Sequence, residues 1–525
     1  METKKLPVGI QSFEKLRDAD YLYVDKTEYI WNLVQNGSVY FLSRPRRFGK
    51  SLLVSTLEAY FLGKKDLFHG LTIEKYENQK GSMAWQVHPV IHFSLSGGNY
   101  LEKDGLQQRL SNTLDHIEKV YGVEGGNYDL PNRFINIIRN LHAKTNQQVV
   151  VLVDEYDKPL LETMGIDALQ EEKNRQLYKS FFSVLKDEDA HLRFVFFTGV
   201  TKFSKVSVFS DLNQLNDISM DPQYAGICGI SDEEMQENFS LEIDALAKAQ
   251  GISRKECIDT LAKMYDGYHF SRNSIGVYNP FSLLNAFFQK DFGNYWFETG
   301  RPSFLIHALK ESVYVPEDFE AGIRASEDEM KNFGAQSNQL IPLYYQSGYL
   351  TISGYDPQFR KYILTFPNQE VKYGFVNSFI PYVFGSKKSE SSLSVDQMVM
   401  DLNAGDINAF LNRIKALFAG IPYLEMDQAP YEQMWRNQFW TIFTLMGQYT
   451  ACEVHTAKGR IDCIVNNKKY IYLFEFKVDQ SAEEALKQIE RQRYASVFSA
   501  DGRTVMKIGI SFSSKERNIV NWKVI

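Results

Sequence analysis

The segment from Val39 to Ser51, VYFLSRPRRFGKS, constrains this chain more than any other. It begins as an apolar strand, continues as an arginine-rich loop, and ends in Gly49-Lys50-Ser51 before an apolar run that predicts a helix. Strand, loop, Gly-Lys-Ser and helix is the order of a phosphate-binding P-loop, in which the first turn of the helix offers unpaired N–H groups to an anion. In that role Lys50 reaches the β- and γ-phosphates, and the Ser51 hydroxyl holds Mg²⁺.

The loop departs from the common pattern G-x-x-x-x-G-K-[ST] at its first position, where this chain has Arg44. Because a side chain makes a positive φ costly, the turn at Arg44 must have a different shape. A basic loop that merely joins a strand to a helix is the alternative interpretation. Under the P-loop interpretation, the residues expected to bind the nucleotide are Arg46, Arg47, Phe48, Gly49, Lys50, Ser51, Leu52 and Asp154.

The run from Gln148 to Glu155, QVVVLVDE, carries the second chemical signal. Its consecutive apolar, mostly β-branched residues predict a strand buried on both faces, as in a parallel sheet. The strand ends in two carboxylates, which is the form of a Walker B segment. Asp154 would bind Mg²⁺ through its water shell, and Glu155 would be the general base for the attacking water. A solvated loop start is the alternative for a strand that ends in Asp-Glu.

The run from Leu192 to Lys202 predicts another strand of the same sheet. A polar residue at its end would sense the γ-phosphate, and the candidates are Thr198, Thr201 and Lys202. Termination of the strand by small polar residues explains the same pattern. Strands that alternate with helices predict a parallel α/β sheet that binds nucleotide at the carboxyl ends of its strands.

Segments on either side of these strands predict helices. Thr27 is expected to cap a helix from Glu28 to Val34. Residues from about 231 to 309 have a helical pattern, which begins at Ser231 with acidic residues in the first turn. We interpret this region as a helical lid over the parallel sheet.

Residues 327–376 predict a compact helix-plus-hairpin unit that resembles a winged-helix module. A helix is expected to end at Gly348, and two strands are expected to meet at a turn over Gly354–Pro357. The Ser- and charge-rich stretch 386–394 predicts a linker. The chain is thus expected to comprise a P-loop domain (1–230), a helical lid (231–310), a winged-helix-like module (311–385), the linker (386–394), and a C-terminal domain (395–525).

The C-terminal part holds a second constellation of charged residues. Two apolar strands around a polar turn predict a β-hairpin, which brings Asp462 near Glu475, and the spacing of Glu475 and Lys477 puts both on one face. Two carboxylates and a lysine on one face suit a divalent-metal hydrolase, in which Asp462 and Glu475 hold Mg²⁺ and Lys477 orients the water. Glu432, on a helix from Tyr431 to Leu445, could add a carboxylate.

A helix predicted from Ala482 to Phe498 carries Gln488 and Tyr494, and Gln488 could point at the same site. The alternative is a salt-bridged hairpin, because an E-x-K sequence by itself is very common. The order of helix with Glu, strand with Asp, strand with E-x-K and helix with Gln favours a site.

Composition limits the classes of protein to which this chain can belong. The net charge of −7 argues against a protein that covers nucleic acid with its whole surface, but it does not exclude a local basic groove. The four cysteines form no C-x-x-C pair, so neither a disulfide framework nor a zinc site is expected. The N-terminus does not have the pattern of a signal peptide, and no apolar run is long enough to span a membrane. A cytoplasmic protein with no membrane partner is therefore expected.

Residues 6 to about 310 resemble the bacterial AAA-ATPase-like family, P-loop ATPases related to archaeal and STAND ATPases. The matching segments are Tyr23–Thr27, Phe41–Ser51, Val153–Pro159 and Thr198–Val200, and Arg44 in place of glycine is itself typical of that family. Residues from about 400 to 525 are similar to the PD-(D/E)XK nuclease superfamily, through Gly459–Asp462 and Glu475–Lys477. Ile461 occupies the position of the proline in the PD-(D/E)XK motif.

Together these resemblances imply an α/β chain that pairs a P-loop NTPase sheet, helical lid and winged-helix-like module with an α/β PD-(D/E)XK nuclease-like domain. They imply ATP and Mg²⁺ as cofactors and a nucleic acid as the partner of the C-terminal domain. The catalytic residues would be Glu155, Asp462, Glu475 and Lys477. Oligomerisation is left open, and so is the alternative of a nucleotide-dependent switch whose C-terminal domain binds or assembles without catalysis.

Overall fold

The computed structural model describes residues 4–164, 166–203, 214–298, 316–331, 340–383, 395–419, 431–447, 451–454, 462–498 and 501–525. The chain forms two compact units. The first comprises Met1–Ser312 and Ala321–Val371, and the second comprises Val313–Glu320 and Lys372–Ile525. The predicted linker at 386–394 lies outside the described residues, and the finer division into domains stays a prediction.

A five-stranded sheet forms the centre of the first unit. Its strands are β1 (Val39–Ser43), β2 (Val90–Ser94), β3 (Val149–Asp154), β4 (Leu192–Gly199) and β5 (Asn216–Asp217). They lie in the order β2-β3-β4-β1-β5, and every pairing is parallel. All residues of β1 and β3 are buried, as expected for apolar strands covered on both faces. Since β4 lies between β1 and β3, the predicted loop, carboxylates and threonines meet at one edge of the sheet.

Helices surround this sheet and continue to residue 298. They are α1 (Phe13–Asp18), α2 (Thr27–Asn36), α3 (Lys50–Phe61), α4 (Thr72–Asn78), α5 (Gly105–Tyr121), α6 (Leu130–Thr145), α7 (Lys158–Leu161), α8 (Ala168–Phe182), α9 (Val184–Asp187), α10 (Asp232–Asn238), α11 (Ser240–Gln250), α12 (Arg254–Tyr265), α13 (Pro280–Gln289) and α14 (Tyr295–Glu298). Short 3₁₀ turns cover Lys65–Phe68, Gly81–Met83, Asp189–His191 and Pro222–Tyr224.

The predicted helical region has its own core. Ser231 caps α10 with a full capping box, because its side chain accepts from the Glu234 N–H while the Glu234 carboxylate accepts from the Ser231 N–H. Apolar residues of α10 to α13, among them Met235, Leu246 and Leu283, are fully buried in one cluster. The predicted helical region is therefore a packed helical subdomain, and its role as a lid stays a prediction.

The start of α2 differs from the prediction. The helix begins at Thr27, and Lys26 is its N-cap residue without a side-chain cap. Asp25 supplies the cap instead, since its Oδ1 accepts from the Thr27 N–H at 2.9 Å and from the Thr27 hydroxyl at 2.6 Å. Its Oδ2 accepts from the Thr72 N–H at 2.7 Å. The Thr27 hydroxyl donates to Asp25 and accepts from the Ile73 N–H of α4 at 3.1 Å, so Asp25 caps α2 while both side chains bond the start of α4.

The helix-plus-hairpin unit is confirmed, with a shifted turn. It contains β6 (Ile323–Ala325), α16 (Glu327–Lys331), α17 (Leu340–Gln346), β7 (Thr351–Asp356) and β8 (Lys361–Thr365), which follow α15 (Pro316–Ala321). The strands form an antiparallel sheet in the order β6-β8-β7. The turn predicted over Gly354–Pro357 is wrong, because β7 passes through Gly354 with a register irregularity and the chain reverses after Asp356. Its winged-helix character stays a prediction.

The second unit is a mixed α/β domain. Its helices are α18 (Gln369–Val383), which starts in the first unit, α19 (Val395–Ala404), α20 (Ile407–Ala419), α21 (Tyr431–Met446) and α22 (Ala482–Arg491). Its strands are β9 (Ala451–Val454), β10 (Cys463–Asn466), β11 (Tyr470–Val478), β12 (Thr504–Ser513) and β13 (Asn518–Val524). The sheet order is β13-β12-β11-β10-β9, in which only β11 and β12 run parallel.

The helix predicted from Ala482 to Phe498 is shorter in the structure. It ends at Arg491, Arg493 has a φ of 53°, and a 3₁₀ turn covers Tyr494–Phe498. A residue in the left-handed region breaks the α-helical path. Among the described residues, no helix is long and apolar enough to cross a membrane.

Candidate functional sites

The conformation of the loop between β1 and α3 shows how it forms with Arg44 in place of the usual first glycine. Its positive φ angles occur at Arg47, 64°, and at Gly49, 90°. Gly49 is the N-cap residue of α3, and it has room for the left-handed conformation that glycine adopts without strain. The turn therefore has the different shape expected from the sequence, and position 44 does not need a glycine.

Lys50 and Asp154 are both buried at this edge of the sheet. The Lys50 amine donates to the Arg44 carbonyl at 2.9 Å and to the Pro45 carbonyl at 2.8 Å. Burial lowers the pKa of Lys50, and the charges of Asp154 and Asp157 oppose that shift. Among the described residues Asp154 Oδ1 is a buried oxygen without a hydrogen-bond partner. Such an oxygen fits the Mg²⁺ role predicted for Asp154, and Ser51, the other predicted ligand, lies in the first turn of α3.

Glu155 follows Asp154 in an unusual conformation. Its φ is 54°, a left-handed value that is uncommon for a residue with a side chain. Burial and the neighbouring Asp154 charge raise the pKa of the Glu155 carboxyl, which makes it a stronger base than an exposed glutamate. Strained conformations of this kind concentrate at functional sites.

The three candidates for a γ-phosphate sensor are no longer equivalent. The Thr201 hydroxyl donates to Asp157 Oδ2 at 2.9 Å, and the Lys202 amine donates to Asp217 Oδ2 at 2.6 Å. Thr198 is fully buried, and its hydroxyl has no partner among the described residues. Register places Thr198 beside Leu42 of β1, and one step beyond the Val153–Phe197 pair. Thr198 is therefore the candidate with a free hydroxyl beside Asp154.

The remaining predicted loop residues have mixed surroundings. Arg46 and Arg47 are exposed, and the Arg47 guanidinium stacks 4.0 Å above the Phe281 ring. The Trp296 indole N–H donates to the Arg46 carbonyl at 3.0 Å. Phe48 is buried, with its ring 4.8 Å from that of Tyr268. Phe48 therefore contributes its side chain to packing.

The second candidate site lies on the β10–β11 hairpin, as predicted. Cys463 of β10 pairs with Phe474 of β11; Asp462 directly precedes Cys463, and Glu475 directly follows Phe474. Asp462 Oδ2 accepts from the Phe476 N–H at 2.8 Å. The Lys477 amine lies 3.4 Å from Glu475 Oε1 and donates to Gln488 Oε1 at 2.6 Å. The structure thus brings both carboxylates, the lysine and the glutamine of α22 together.

Burial perturbs the carboxylate at this site. Burial and the Asp462 charge raise the pKa of Glu475 to about 7, while Lys477 opposes the shift. Glu475 is 1% exposed, and its Oε2 has no hydrogen-bond partner among the described residues. A buried carboxylate oxygen of this kind fits a divalent cation. Burial raises the pKa of Tyr494, and the charges of Glu475 and Asp462 raise it further. The 3₁₀ turn that contains Tyr494 therefore lies near the site.

The predicted third carboxylate is not placed. The side chain of Glu432 on α21 lies outside the described residues. Within the described part of the chain, no group of three His, Cys, Asp or Glu side chains could hold a metal ion. The described site therefore offers two carboxylates.

Comparison with known proteins follows this division into two sites. Residues 7–209 match the family described as Predicted AAA-ATPase, and residues 430–522 match the PD-(D/E)XK nuclease superfamily. A protein of Azotobacter chroococcum mcd 1, described as an uncharacterized protein in vnfD 5'region, is 36% identical over 536 residues, covering 100% of this chain and 99% of the relative. This chain belongs to the predicted AAA-ATPase family. Its C-terminal domain belongs to the PD-(D/E)XK nuclease superfamily.

A solved structure, the ORC2 protein of Aeropyrum pernix in ADPNP–ADP complexes, aligns with a TM-score of 0.23 and 13% identity. The alignment covers 65% of this chain and 87% of that chain. A similarity this low supports no inference about function.

Sequence reasoning missed a cavity beside the loop of this ATPase-family chain. It encloses about 100 Å³ of water-accessible space, and it is partly open to solvent. Its walls come from segments far apart in the sequence, so local patterns could not have predicted it. They are Pro7, Leu16, Leu22, Tyr23, Val24, Lys26, Phe48, Gly49, Leu52, Leu53, Ile227, Cys228, Gly229, Ile230, Phe239, Pro280 and Leu284.

An ion pair borders this cavity. The Lys26 amine lies 2.6 Å from both carboxylate oxygens of Glu234, the residue that completes the capping box of α10. The pair connects the segment before α2 to the helical subdomain. Because Lys26 is committed to Glu234, the cavity presents mainly apolar walls.

Arg44 has a structural role that the sequence did not predict. It is 1% exposed, and its guanidinium donates to the carbonyls of Ser43, Ser219 and Tyr224 at 2.8 to 3.0 Å. It also lies 4.0 Å above the Phe270 ring. Burial lowers the pKa of Arg44. The side chain fastens the segment after β5 and the helical subdomain to the loop.

Arg44→Lys is expected to lower the free energy of unfolding of the first unit by about 2–4 kcal/mol. Lysine keeps the buried charge, but its compact amine cannot donate to carbonyls on two sides as the planar guanidinium does. Urea unfolding measures the change. The matched control is Arg272→Lys, since the exposed Arg272 lies 4.1 Å above the Tyr355 ring, and it should cost at most about 1 kcal/mol. Equal effects of both variants would contradict this role of Arg44.

Proposed function

We propose that the first unit binds and hydrolyses ATP and that the second unit cleaves phosphodiester bonds of a nucleic acid in a metal-dependent reaction. The observation that carries the proposal is that each unit has one buried carboxylate oxygen without a hydrogen-bond partner among the described residues, Asp154 Oδ1 in the first and Glu475 Oε2 in the second. Each carboxylate has a lysine nearby: the Asp154 charge acts on Lys50, and the Lys477 amine lies 3.4 Å from Glu475 Oε1. A buried acceptor without a hydrogen-bond partner costs free energy, so such atoms suit a ligand or ion that binds to them.

In the first unit, the chain's own residues would divide the work as follows. The phosphates of ATP would occupy the N-terminus of α3, where Lys50 exchanges the Arg44 and Pro45 carbonyls for phosphate oxygens. The base of ATP would lie in the apolar cavity beside Gly49 and Leu52. Bound Mg²⁺, held by Ser51 and Asp154, would supply positive charge against the phosphates.

Glu155 and Thr198 would complete this site. The raised pKa of Glu155 suits a residue that must accept a proton from the attacking water. The free hydroxyl of Thr198 would donate to the γ-phosphate or to that water. Thr201 and Lys202 are already committed to Asp157 and Asp217, so the sensor role goes to Thr198.

In the second unit, Asp462 and Glu475 would hold the cation, whose charge would lower the pKa of a bound water and neutralise the scissile phosphate. Lys477, held by Gln488, would donate to the attacking water or to the phosphate. A Gln488 oxygen fixes the direction of the amine without neutralising its charge.

One observation favours a second candidate function for this unit. The Lys477 amine lies 3.4 Å from Glu475 Oε1 and donates to Gln488 Oε1, which is also what a salt-bridged hairpin without catalysis would contain. A nucleotide-dependent switch, with a C-terminal domain that binds nucleic acid or assembles without cutting, agrees with such a hairpin.

Titration of wild-type protein with ATP, with phosphate release measured in parallel, tests the first activity. Incubation with single- and double-stranded DNA and RNA, in Mg²⁺ and in EDTA, tests the second. Saturable ATP binding with turnover, and cleavage only in Mg²⁺, are the expected results. Binding without turnover would overturn ATP hydrolysis, and no cleavage of any substrate would favour the switch.

Mg²⁺ affinity of the second unit is expected to fall as the pH drops from about 8 to about 6. Glu475 binds the cation only when ionised, and with its pKa raised to about 7 a proton competes in this range. One competing proton weakens binding up to about tenfold per pH unit below that pKa. Calorimetric titration with Mg²⁺ measures the change. Glu475→Gln should bind weakly without this pH dependence, and a pH-independent wild type would contradict the ligand assignment.

A further inference from the structure

Asp157, the third carboxylate of the segment Asp154–Asp157, is not accounted for by the ATPase roles above. It is 1% exposed, and its Oδ2 accepts three hydrogen bonds from the end of β4. The donors are the Val200 N–H at 2.9 Å, the Thr201 N–H at 2.6 Å and the Thr201 hydroxyl at 2.9 Å. A carboxylate this buried needs such partners, and all of them belong to one short segment.

The other oxygen of Asp157 lies against Gly199. A Cβ atom added to Gly199 would come within 2.5 Å of Asp157 Oδ1. The close approach therefore requires glycine at this position for a steric reason. The end of β4 is shaped to admit this carboxylate.

Tyr156 makes a second set of bonds to the same segment. Its N–H donates to the Thr198 carbonyl at 3.0 Å, and its hydroxyl donates to the Thr201 carbonyl at 2.8 Å. The hydroxyl also accepts from the Phe203 N–H at 3.0 Å. Tyr156 and Asp157 together tie the turn after β3 to residues 198–203.

Glu155 lies between residues that are held in place on both sides. The residue before it, Asp154, is paired within the sheet, and the two residues after it are bonded to the end of β4. Between these anchors Glu155 adopts its φ of 54°. A left-handed conformation persists when the surrounding structure imposes it. The same bonds fix the segment that contains Thr198.

We propose that Asp157 is a positioning residue for ATP hydrolysis, which holds the Glu155 carboxylate and the Thr198 hydroxyl in one fixed arrangement around the γ-phosphate. The proposal rests on the proposed ATPase function. Asp157 would act through its bonds to Val200 and Thr201. Among the described residues its carboxylate makes no hydrogen bond to the loop residues expected to bind the phosphates, and it influences Lys50 through its charge. Its loss is therefore expected to lower turnover far more than ATP affinity.

Asp157→Ala tests the proposal in the full chain. The turnover number for ATP is expected to fall by on the order of 10- to 100-fold, with the dissociation constant for ATP changed less than about threefold. Asp157→Asn should recover most of the turnover, because its amide oxygen can still accept from Val200 and Thr201. Gly199→Ala keeps the Asp157 carboxylate but should displace it, because the added Cβ would lie within 2.5 Å of Asp157 Oδ1. This variant should therefore resemble Asp157→Ala.

Asp129→Ala is the matched control for a loss of stability alone. Asp129 caps α6 through the Asn132 N–H at 3.1 Å, and this variant should keep wild-type turnover. Wild-type turnover in Asp157→Ala would overturn the positioning role and leave the ATPase intact. Parallel losses of turnover and ATP affinity, without recovery in Asp157→Asn, would also overturn it, in favour of a purely structural role. A wild-type chain that binds ATP without turnover would overturn the ATPase function and this role with it.

Discussion

Glu155→Gln is expected to lower the turnover number for ATP by on the order of 10²- to 10⁴-fold while ATP affinity stays within a few-fold of wild type. Glutamine has the same shape, so the turn with its φ of 54° is kept. It cannot accept the proton of the attacking water at neutral pH, and that loss falls on the chemical step alone. Phosphate release at saturating ATP, together with a nucleotide-binding titration, measures both quantities.

Lys50→Ala provides the contrasting variant. It removes the amine that would bind the β- and γ-phosphates, so ATP binding itself should be lost. Measuring both variants separates a failure of chemistry from a failure of binding. Wild-type hydrolysis by Glu155→Gln would show that another group is the base.

Asp462→Asn is expected to abolish metal-dependent cleavage, with a loss on the order of 10²-fold or more. The change is isosteric, but it removes one of two carboxylates and leaves a neutral amide beside Glu475. The affinity for Mg²⁺ should fall in parallel, and calorimetry measures this without relying on cleavage. The pKa of Glu475 should also fall, because the Asp462 charge is one of the causes that raise it.

Asp406→Asn is the matched control in the same unit. Asp406 is an aspartate whose Oδ1 accepts from the Ala409 N–H at 2.9 Å near the start of α20, and its neighbour Gly405 packs against Tyr470, at the end of β11 opposite to Glu475. It should leave both cleavage and Mg²⁺ affinity unchanged. If Asp462→Asn cleaves as well as Asp406→Asn, the hairpin is not the catalytic site.

Much of the first sheet was predictable because its strands are continuous apolar runs. The run VVVLV that precedes Asp154 in β3 has no polar residue on either face. Only a strand covered on both sides buries all of these side chains. The hairpin that carries Asp462 and Glu475 was predictable for a related reason, since two apolar runs around a polar turn pair with each other.

Local features were less predictable where two solutions compete. Asp25 replaces Thr27 as the cap of α2, and the Thr27 hydroxyl instead accepts from the Ile73 N–H at the start of α4. The reversal after β7 falls beyond Gly354 because a strand can absorb a glycine as a bulge. In each case the deciding partner belongs to another segment of the chain.

The sequence by itself determined the chemistry at each strand end, namely Gly49-Lys50-Ser51, Asp154-Glu155, and Asp462 with Glu475 and Lys477. These groups are neighbours in the chain or across one hairpin, so spacing and periodicity are enough to place them together. Tertiary structure alone decided how they are held. The bonds of Arg44 to Ser219 and Tyr224, of Asp157 to Thr201, and of Lys26 to Glu234 join residues 44 to 208 positions apart. Such contacts depend on how strands and helices pack, which the pattern of any single segment does not encode.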